Sequence, residues 1–501
     1  MAIAKVCGIE TEYGVHVQHS PEANPTTASS LLINAYVADL ASRVRWDFED
    51  ESPGRDARGF AREGSMPPEV ETHLVNTVLT NGARYYVDHA HPEYSTPECA
   101  TAAELVVQDR AGELVLERSM AAAKPLLGPG ESIVVYKNNS DGKGNSYGCH
   151  ENYLVDRATP FARIVRQLTA HLVTRQVFAG AGKVGREGTG GAGAGEPVFQ
   201  LSQRADFFEE TVGLETTLKR PIVNTRDEPH ADPQKYRRLH VITGDANLAE
   251  VATYLKVGAT SLVLLLIEDD VLGENEFVLE RPVQAIREVS LDPSLRQLVE
   301  LVDGRRLRAL EIQWELYDRA RKYADERGLA PLGPEPSGAA ILERWESVLA
   351  GLEADPASLK HQLDWVAKRE LIDAYCDRHE CGLDDHRVAA LDLQYHDLRP
   401  ERSLFRRLDM ERLTSDAAIE AAVHNAPRDT RAYFRGECLK RFGRSIAAAN
   451  WDSIVFDLGG DPLRRVPMME PLRGTAAHVD TLFEGCDSPA ELLRRLGSAS
   501  G

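Results

Sequence analysis

The chain has 501 residues, with 58 Lys and Arg set against 78 Asp and Glu, for a formal net charge of −20. That balance argues against a general nucleic-acid binder and against an anionic membrane surface as partner. The length leaves room for two domains, at least one with a large core.

The N-terminus lacks the long apolar core of a signal peptide. The most apolar run, residues 259–267, is too short to span a bilayer and runs straight into Glu268, Asp269 and Asp270, so it reads as a buried element. Seven cysteines are scattered without a CxxC pair. They read as reduced thiols of a cytoplasmic protein.

Residues 5–17 alternate like a strand, with Glu10 and Glu12 on one face. Two carboxylates side by side repel unless they are solvated or share a cation. The pair is therefore either a strand that binds a hard cation such as Mg²⁺ or an exposed edge strand. Residues 28–42 have helical spacing. Residues 43–69 are charged, rich in Gly and Pro and nearly free of aliphatic side chains, which predicts a long mobile loop, plausible as a lid.

Asn81-Gly82 is a turn signal, and the aromatic and β-branched residues after it predict a strand. Alternation puts Arg84, Tyr86 and Asp88 on one face and Tyr85 and Val87 on the other. If Glu93 and Thr96 both reach that polar face, a bend or bulge near Pro92 is needed. A helix is expected over 101–124 and a strand over 132–139, followed by the polar cluster His150, Glu151 and Asn152.

After a helical pattern over 160–179, Gly180 to Gly185 is formally a GxGxxG. It follows a helix rather than a strand and precedes no helix, so it reads as a flexible loop. Strands are expected over 197–206 and 220–226. A further strand at 236–242 carries Arg238 and His240 on one face, and its arginine suits phosphate or carboxylate recognition. Residues 290–425 are mostly helical. New strands and a changed charge texture near 427 suggest a small C-terminal domain.

Taken together, several stretches resemble one family, the Pup ligases and Pup deamidases/depupylases, which are related to carboxylate–amine ligases of the glutamine synthetase fold. They are Gly8-Ile9-Glu10-Thr11-Glu12-Tyr13-Gly14, Asn81 through Glu98, Lys137-Asn138-Asn139, Tyr147 to Tyr153, Asn224 to Asp232, Tyr236 to Asn247, and Thr430 to Glu437 with Trp451. The resemblance runs over nearly the whole chain. Three features look like the deamidase/depupylase branch: the insertion around Arg45 to Phe60, the sequence Val87-Asp88-His89-Ala90-His91-Pro92-Glu93 where ligases typically have Gly-Ser before His-Pro-Glu, and Ala23-Asn24-Pro25-Thr26.

The resemblance implies an α+β fold. Residues 1–426 would form a glutamine synthetase-like domain with a curved, mainly antiparallel sheet packed by helices, and residues 427–501 a small α/β domain. It implies an amide and isopeptide hydrolase that turns the C-terminal Gln of Pup into Glu and cleaves the bond between Pup and a substrate lysine, with Pup ligase as the alternative. ATP, or ADP plus phosphate, and Mg²⁺ are the implied cofactors. Pup and pupylated proteins are the implied partners. By resemblance, Asp88 falls on the catalytic aspartate, Glu10, Tyr86 and Glu93 on metal-binding positions, and Arg84, Thr96 and Trp451 on nucleotide contacts. The glutamine synthetase-like layout adds His150 and His240 as metal ligands and Arg238 as a cofactor contact. Whether Asp88 is a nucleophile or a general base stays open.

Overall fold

The alternation read in residues 84–88 sets the orientation of the central sheet, because Tyr85 and Val87 are 0% and 5% exposed and face the core. The computed structural model describes residues 1–20, 22–40, 43–49, 51–61, 75–187, 197–460 and 462–499. Ten strands form the main sheet. They are β1 (Cys7–Glu12), β2 (Val44–Trp46), β3 (Asn76–Val78), β4 (Arg84–Asp88), β5 (His91–Ser95), β6 (Cys149–Asp156), β7 (Tyr236–Val241), β8 (Ile446–Ala449), β9 (Ser453–Phe456) and β10 (Arg464–Pro467). Their order across the sheet is β7-β6-β1-β5-β4-β3-β2-β8-β9-β10. Every pairing is antiparallel except β2 with β8. The fold is thus α+β around a curved, mainly antiparallel sheet, as expected.

Helices cover the apolar face. Helix α1 (Pro25–Ala38) starts at Asn24, whose side chain accepts from the Thr26 and Thr27 amides, and has proline in its first turn, a favourable N-terminal arrangement. Helix α2 (Ala102–Ala123) is capped by Thr101. It closes onto β5 through Gly112, where a Cβ would lie 2.5 Å from the Tyr94 ring. Helix α3 (Glu250–Glu268) contains the apolar run and is wholly buried. It is the one helix among the described residues long and apolar enough to cross a bilayer, and it serves as a core helix.

Two expectations need correction. The chain past Asp88 does not bend or bulge near Pro92 but reverses: β4 and β5 form a hairpin with Asp88 opposite His91 and Val87 opposite Pro92. His89, at φ 51°, takes the left-handed conformation that turns the chain. Residues 197–206 hold only the two-residue strand Phe199–Gln200. Beyond it, the Ser202 and Gln203 amides bond to the Ser290 hydroxyl and the Asp245 carboxylate instead of to a neighbouring strand.

C-terminal to residue 427, helix α4 (Ala432–Phe442) and strands β8 to β10 build a second apolar cluster. Phe434, Phe442, Ile454 and Phe483 close there on Val44, Trp46 and Val78 of the N-terminal part. The three last strands extend the main sheet through the β2–β8 pairing.

Candidate active site

The polar face of the sheet is built in rungs. Tyr86 pairs with Glu93, which pairs with Glu12, and Arg84 pairs with Ser95, which pairs with Glu10 and then His150. Asn152 lies opposite both Gly8 and His240. Period-two alternation on five adjacent strands therefore gathers acids, imidazoles and arginines that are far apart in sequence. A cleft of about 1140 Å³ is lined by Glu10, Arg84, Tyr86, Asp88, Glu93, His150, Arg238, His240 and Trp451. The hairpin, rather than a bend at Pro92, brings Glu93 to this face. Thr96 departs from the set. It lies just past β5, its hydroxyl accepts from the Ile9 amide at 3.0 Å, and it lines an adjoining cavity of about 570 Å³. That cavity shares Glu10, Arg238, His230 and Trp451 with the cleft.

Two groups of side chains could each hold a metal ion. In one, ligand atoms of Glu10, His150 and His240 lie within 4.8 Å of one another. Glu10 accepts from Asn152 Nδ2 at 2.8 Å and faces Arg238 at 3.7 Å and His150 Nδ1 at 3.9 Å. Burial is the main force lowering His150 to about 3, helped by Arg204 and Arg226. Burial and then Arg238 push His240 well below the usual histidine range. Both rings are thus neutral, as metal ligation requires. His240 Nδ1 faces Asn152 Oδ1 at 3.0 Å, while its Nε2 is buried with no hydrogen-bond partner. An oriented ring with one unused nitrogen beside a carboxylate fits a metal ligand.

In the other group, Glu12, Asp88 and Glu93 offer oxygens alone within 4.8 Å of one another. Glu12 accepts from the Gly148 amide at 2.9 Å and faces His91 at 3.6 Å. Glu93 is 3% exposed. Burial, then Asp88, Glu12 and Glu10, raise its carboxyl well above the usual range. Three crowded carboxylates of this kind suit a hard divalent cation. The Tyr86 hydroxyl is likewise held protonated, first by burial and then by Glu93. Asp88 is 32% exposed at the side chain and bonds His89 Nδ1 at 2.9 Å. His89, within the Val87 to Glu93 stretch, thus touches the aspartate directly.

Arg84 is stacked between Trp46 and Tyr86, its guanidinium 4.1 and 3.9 Å from their ring centres, and its Nε donates to Asn76 at 3.0 Å. Trp451 meets Trp46 edge to face at 5.2 Å. Arg435 donates to the Trp451 carbonyl at 3.1 Å and pairs with Glu98, which also binds Arg431 at 2.7 Å. Helix α4 thereby fixes one wall of the smaller cavity.

The described part of residues 43–69 is not a free loop: Val44–Trp46 is strand β2, and the segment after it packs on the cleft. Phe48, Glu51 and Pro53 line the cleft. The Ala57 amide bonds the Thr225 carbonyl at 2.8 Å, Thr225 Oγ1 bonds Asp56 at 2.7 Å, and the Ser52 amide bonds Glu228. Asp50 and residues 62–69 of that stretch, and residues 188–196 of the glycine run, lie outside the described residues. Glu12, read in the sequence only as half of a candidate cation pair, is a member of the carboxylate group, and four lining side chains have no role in the sequence reading: Arg226 and Glu228 in the cleft, and Arg204 and Arg220 in a third cavity beyond Asp88. Alternation flagged Glu12; Arg220 opens the strand Arg220–Asn224, while Arg204, Arg226 and Glu228 lie outside regular strands, where alternation assigns no face.

A family model described as Pup-ligase protein matches residues 5–455. The chain belongs to the Pup-ligase protein family. Within that family it is 54% identical over 505 residues to the depupylase of Acidothermus cellulolyticus, a match covering 98% of this chain and 99% of that one. It is 51% identical over 507 residues to the Pup deamidase/depupylase of Mycolicibacterium smegmatis, again covering 98% and 99%. Among solved structures, the complex of Pup with its ligase PafA superposes with a TM-score of 0.79 at 34% identity, covering 99% of this chain and 95% of that one. The Pup ligase PafA in complex with ADP gives 0.72 at 38% identity, covering 82% and 90%. The described fold is thus that of the Pup-ligase family.

Proposed function

We propose that this chain hydrolyses side-chain amides at the C-terminus of Pup. It converts the terminal Gln to Glu and cleaves the isopeptide bond joining that Glu to a substrate lysine. Its likeness to relatives named for depupylation and deamidation supports this reading. The observation that carries it is the position of Asp88, a carboxylate at the junction of an acid-and-imidazole cleft and a separate arginine-lined cavity. Pup and pupylated proteins are its partners. ATP, or ADP plus phosphate, and Mg²⁺ are its cofactors.

Glu12 and Glu93, with Tyr86 beside them, would hold one metal ion, and Glu10, His150 and His240 another. When bound, Mg²⁺ supplies charge neutralisation and polarisation at the reacting amide oxygen. Thr96 and Trp451, which line the smaller cavity, together with Arg84 and Arg238 would hold the nucleotide, the arginines offering charge to its phosphates; Trp451 comes from residues 427–501, proposed as a small C-terminal domain.

Asp88 has two routes. Its carboxylate attacks the amide carbon, expelling ammonia or the lysine amine with a proton and leaving a mixed anhydride that water opens. Alternatively it removes a proton from the water that attacks. A covalent Pup–enzyme adduct trapped in a single turnover marks the first route, and full turnover without one marks the second. The function itself is tested by mixing the protein with Gln-ended Pup, Mg²⁺ and ATP and reading the mass of Pup. Conversion to the Glu-ended form with release of ammonia is expected. Unchanged Gln-ended Pup, with Glu-ended Pup instead joined to lysines, would mean the ligase reaction.

A further inference from the structure

The cavity on the far side of Asp88 has a different chemistry from the metal cleft. It spans about 1160 Å³ including its mouth to solvent, and Asp88, Tyr147, His150, Arg204 and Arg220 are among its walls. Arg204 is 1% exposed. Its NH1 donates to the Tyr147 carbonyl at 2.5 Å and the Ser146 hydroxyl at 3.1 Å, and its Nε has no partner. Arg220 donates to the Thr216 carbonyl at 2.8 Å and the Ser146 carbonyl at 3.0 Å. Both guanidiniums therefore converge on residues 146–147. Among the described residues neither has an ion pair; their bonds go to carbonyls and one hydroxyl.

The seat is rigid. The Arg204 amide bonds Ser202 Oγ at 3.0 Å, Ser202 Oγ bonds Asp245 at 2.8 Å, and the Gln203 amide bonds the same carboxylate at 2.9 Å. The two arginines stack near Phe207 and Phe208, at 5.6 and 5.9 Å. A buried cation without a counter-ion is costly, and a second, half-buried cation beside it adds to that cost. Burial, and next the charge of Arg220, lower Arg204 to about 10. Glu12, the acid whose charge most favours both cations, is already engaged by the Gly148 amide and His91. An arrangement of this kind is preorganised for an anion with two oxygens.

We infer that Arg204 and Arg220 form a clamp for the free α-carboxylate of the residue whose side-chain amide is cleaved. This rests on the proposed amide hydrolysis and names what holds its substrate. Beside the scissile carbonyl, the α-carboxylate is the one ionised group that a terminal Gln and a lysine-linked terminal Glu share. A short aliphatic stem separates the two groups, and Asp88 lines both the clamp cavity and the metal cleft. Clamping the α-carboxylate therefore sets the side-chain carbonyl at Asp88, whichever amine leaves. It also rejects internal glutamines, which have no α-carboxylate to offer.

The test uses the full chain with Gln-ended Pup in two forms, one with a free C-terminal acid and one with a C-terminal α-carboxamide. Binding is read by fluorescence anisotropy and turnover by ammonia release. The free acid is expected to be preferred roughly 100-fold, because the amide leaves buried donors unpaired. Arg204→Met should erase most of that preference. Arg220→Gln, at a half-buried position that tolerates change better, should reduce it roughly 10-fold. Equal affinity and turnover for the two forms overturns the clamp and leaves the hydrolase reading intact. A preference undiminished in both variants, each shown folded by its thermal melt, overturns it too. If the free-acid form neither binds nor reacts, the hydrolase reading falls and the clamp with it.

Discussion

The two groups of potential ligands lie on adjacent strands but handle charge in opposite ways. Glu10, His150 and His240 contain one acid, which Asn152 holds and Arg238 faces, and two imidazoles kept neutral by burial. This group is stable without a cation. Glu12, Asp88 and Glu93 contain three acids, and the innermost resists ionising because the other two and Glu10 are near. A cation between these acids would relieve that repulsion. The sheet thus places a candidate site that carries little net charge beside one whose charge a cation would neutralise, and Asp88, the proposed reactive carboxylate, belongs to the second.

The strongest way to break that contrast is Asp88→Asn. It keeps shape and removes charge, so turnover of both substrates is expected to fall about 1000-fold or more while nucleotide affinity stays unchanged. Near-normal turnover of either substrate would take Asp88 out of the mechanism.

Glu93→Gln tests the repulsion itself. It removes a ligand, so the Mg²⁺ concentration for half-maximal activity should rise roughly 30-fold. It also removes the crowded charge, so the metal-free variant should melt above the wild type. Because the folded carboxyl is raised, its stabilising contribution is full below about pH 4.3 and fades as pH climbs toward its folded value. The gap between variant and wild type should therefore widen with rising pH and close when Mg²⁺ is added. A constant gap across pH would show that Glu93 is not held under charge repulsion.

Most of the carboxylate group was legible in the sequence because it sits on strands, where period two assigns faces without knowledge of partners. Glu10 and Glu12, Arg84, Tyr86 and Asp88, and Arg238 and His240 were each placed correctly on their own strands. Which strands become neighbours is set by tertiary pairing, so the separation into two groups was not visible. The β4–β5 hairpin escaped because its turn uses His89 and Ala90, without the Gly or Asn that usually marks a left-handed position. The arginine pair beyond Asp88 escaped for a related reason. Arg204 stands where side-chain acceptors replace a strand ladder, so alternation has nothing to say about it.

His150→Gln probes the group of little net charge. A histidine whose folded value is lowered from 6.5 to about 3 gives stability that is present above 6.5 and lost as pH falls toward 3. In metal-free protein the melting temperature of the wild type should therefore drop between neutral pH and pH 4 by about 2 °C more than that of the variant. Parallel curves would mean that His150 charges freely in the folded state.

The smallest effect is expected at Arg84→Lys, which separates the nucleotide wall from both metal groups. The guanidinium lies flat between Trp46 and Tyr86 and is steered by Asn76, so its position depends on stacking as much as on charge. An ammonium keeps the charge but loses the planar contacts, worth about 1 kcal/mol at a partly buried site. Nucleotide affinity should weaken roughly 5-fold, with turnover at saturating nucleotide and the Mg²⁺ requirement nearly unchanged. If instead the lysine variant loses turnover as deeply as Asp88→Asn at saturation, Arg84 acts on the reacting amide and the boundary between nucleotide wall and carboxylate group has to move to include it.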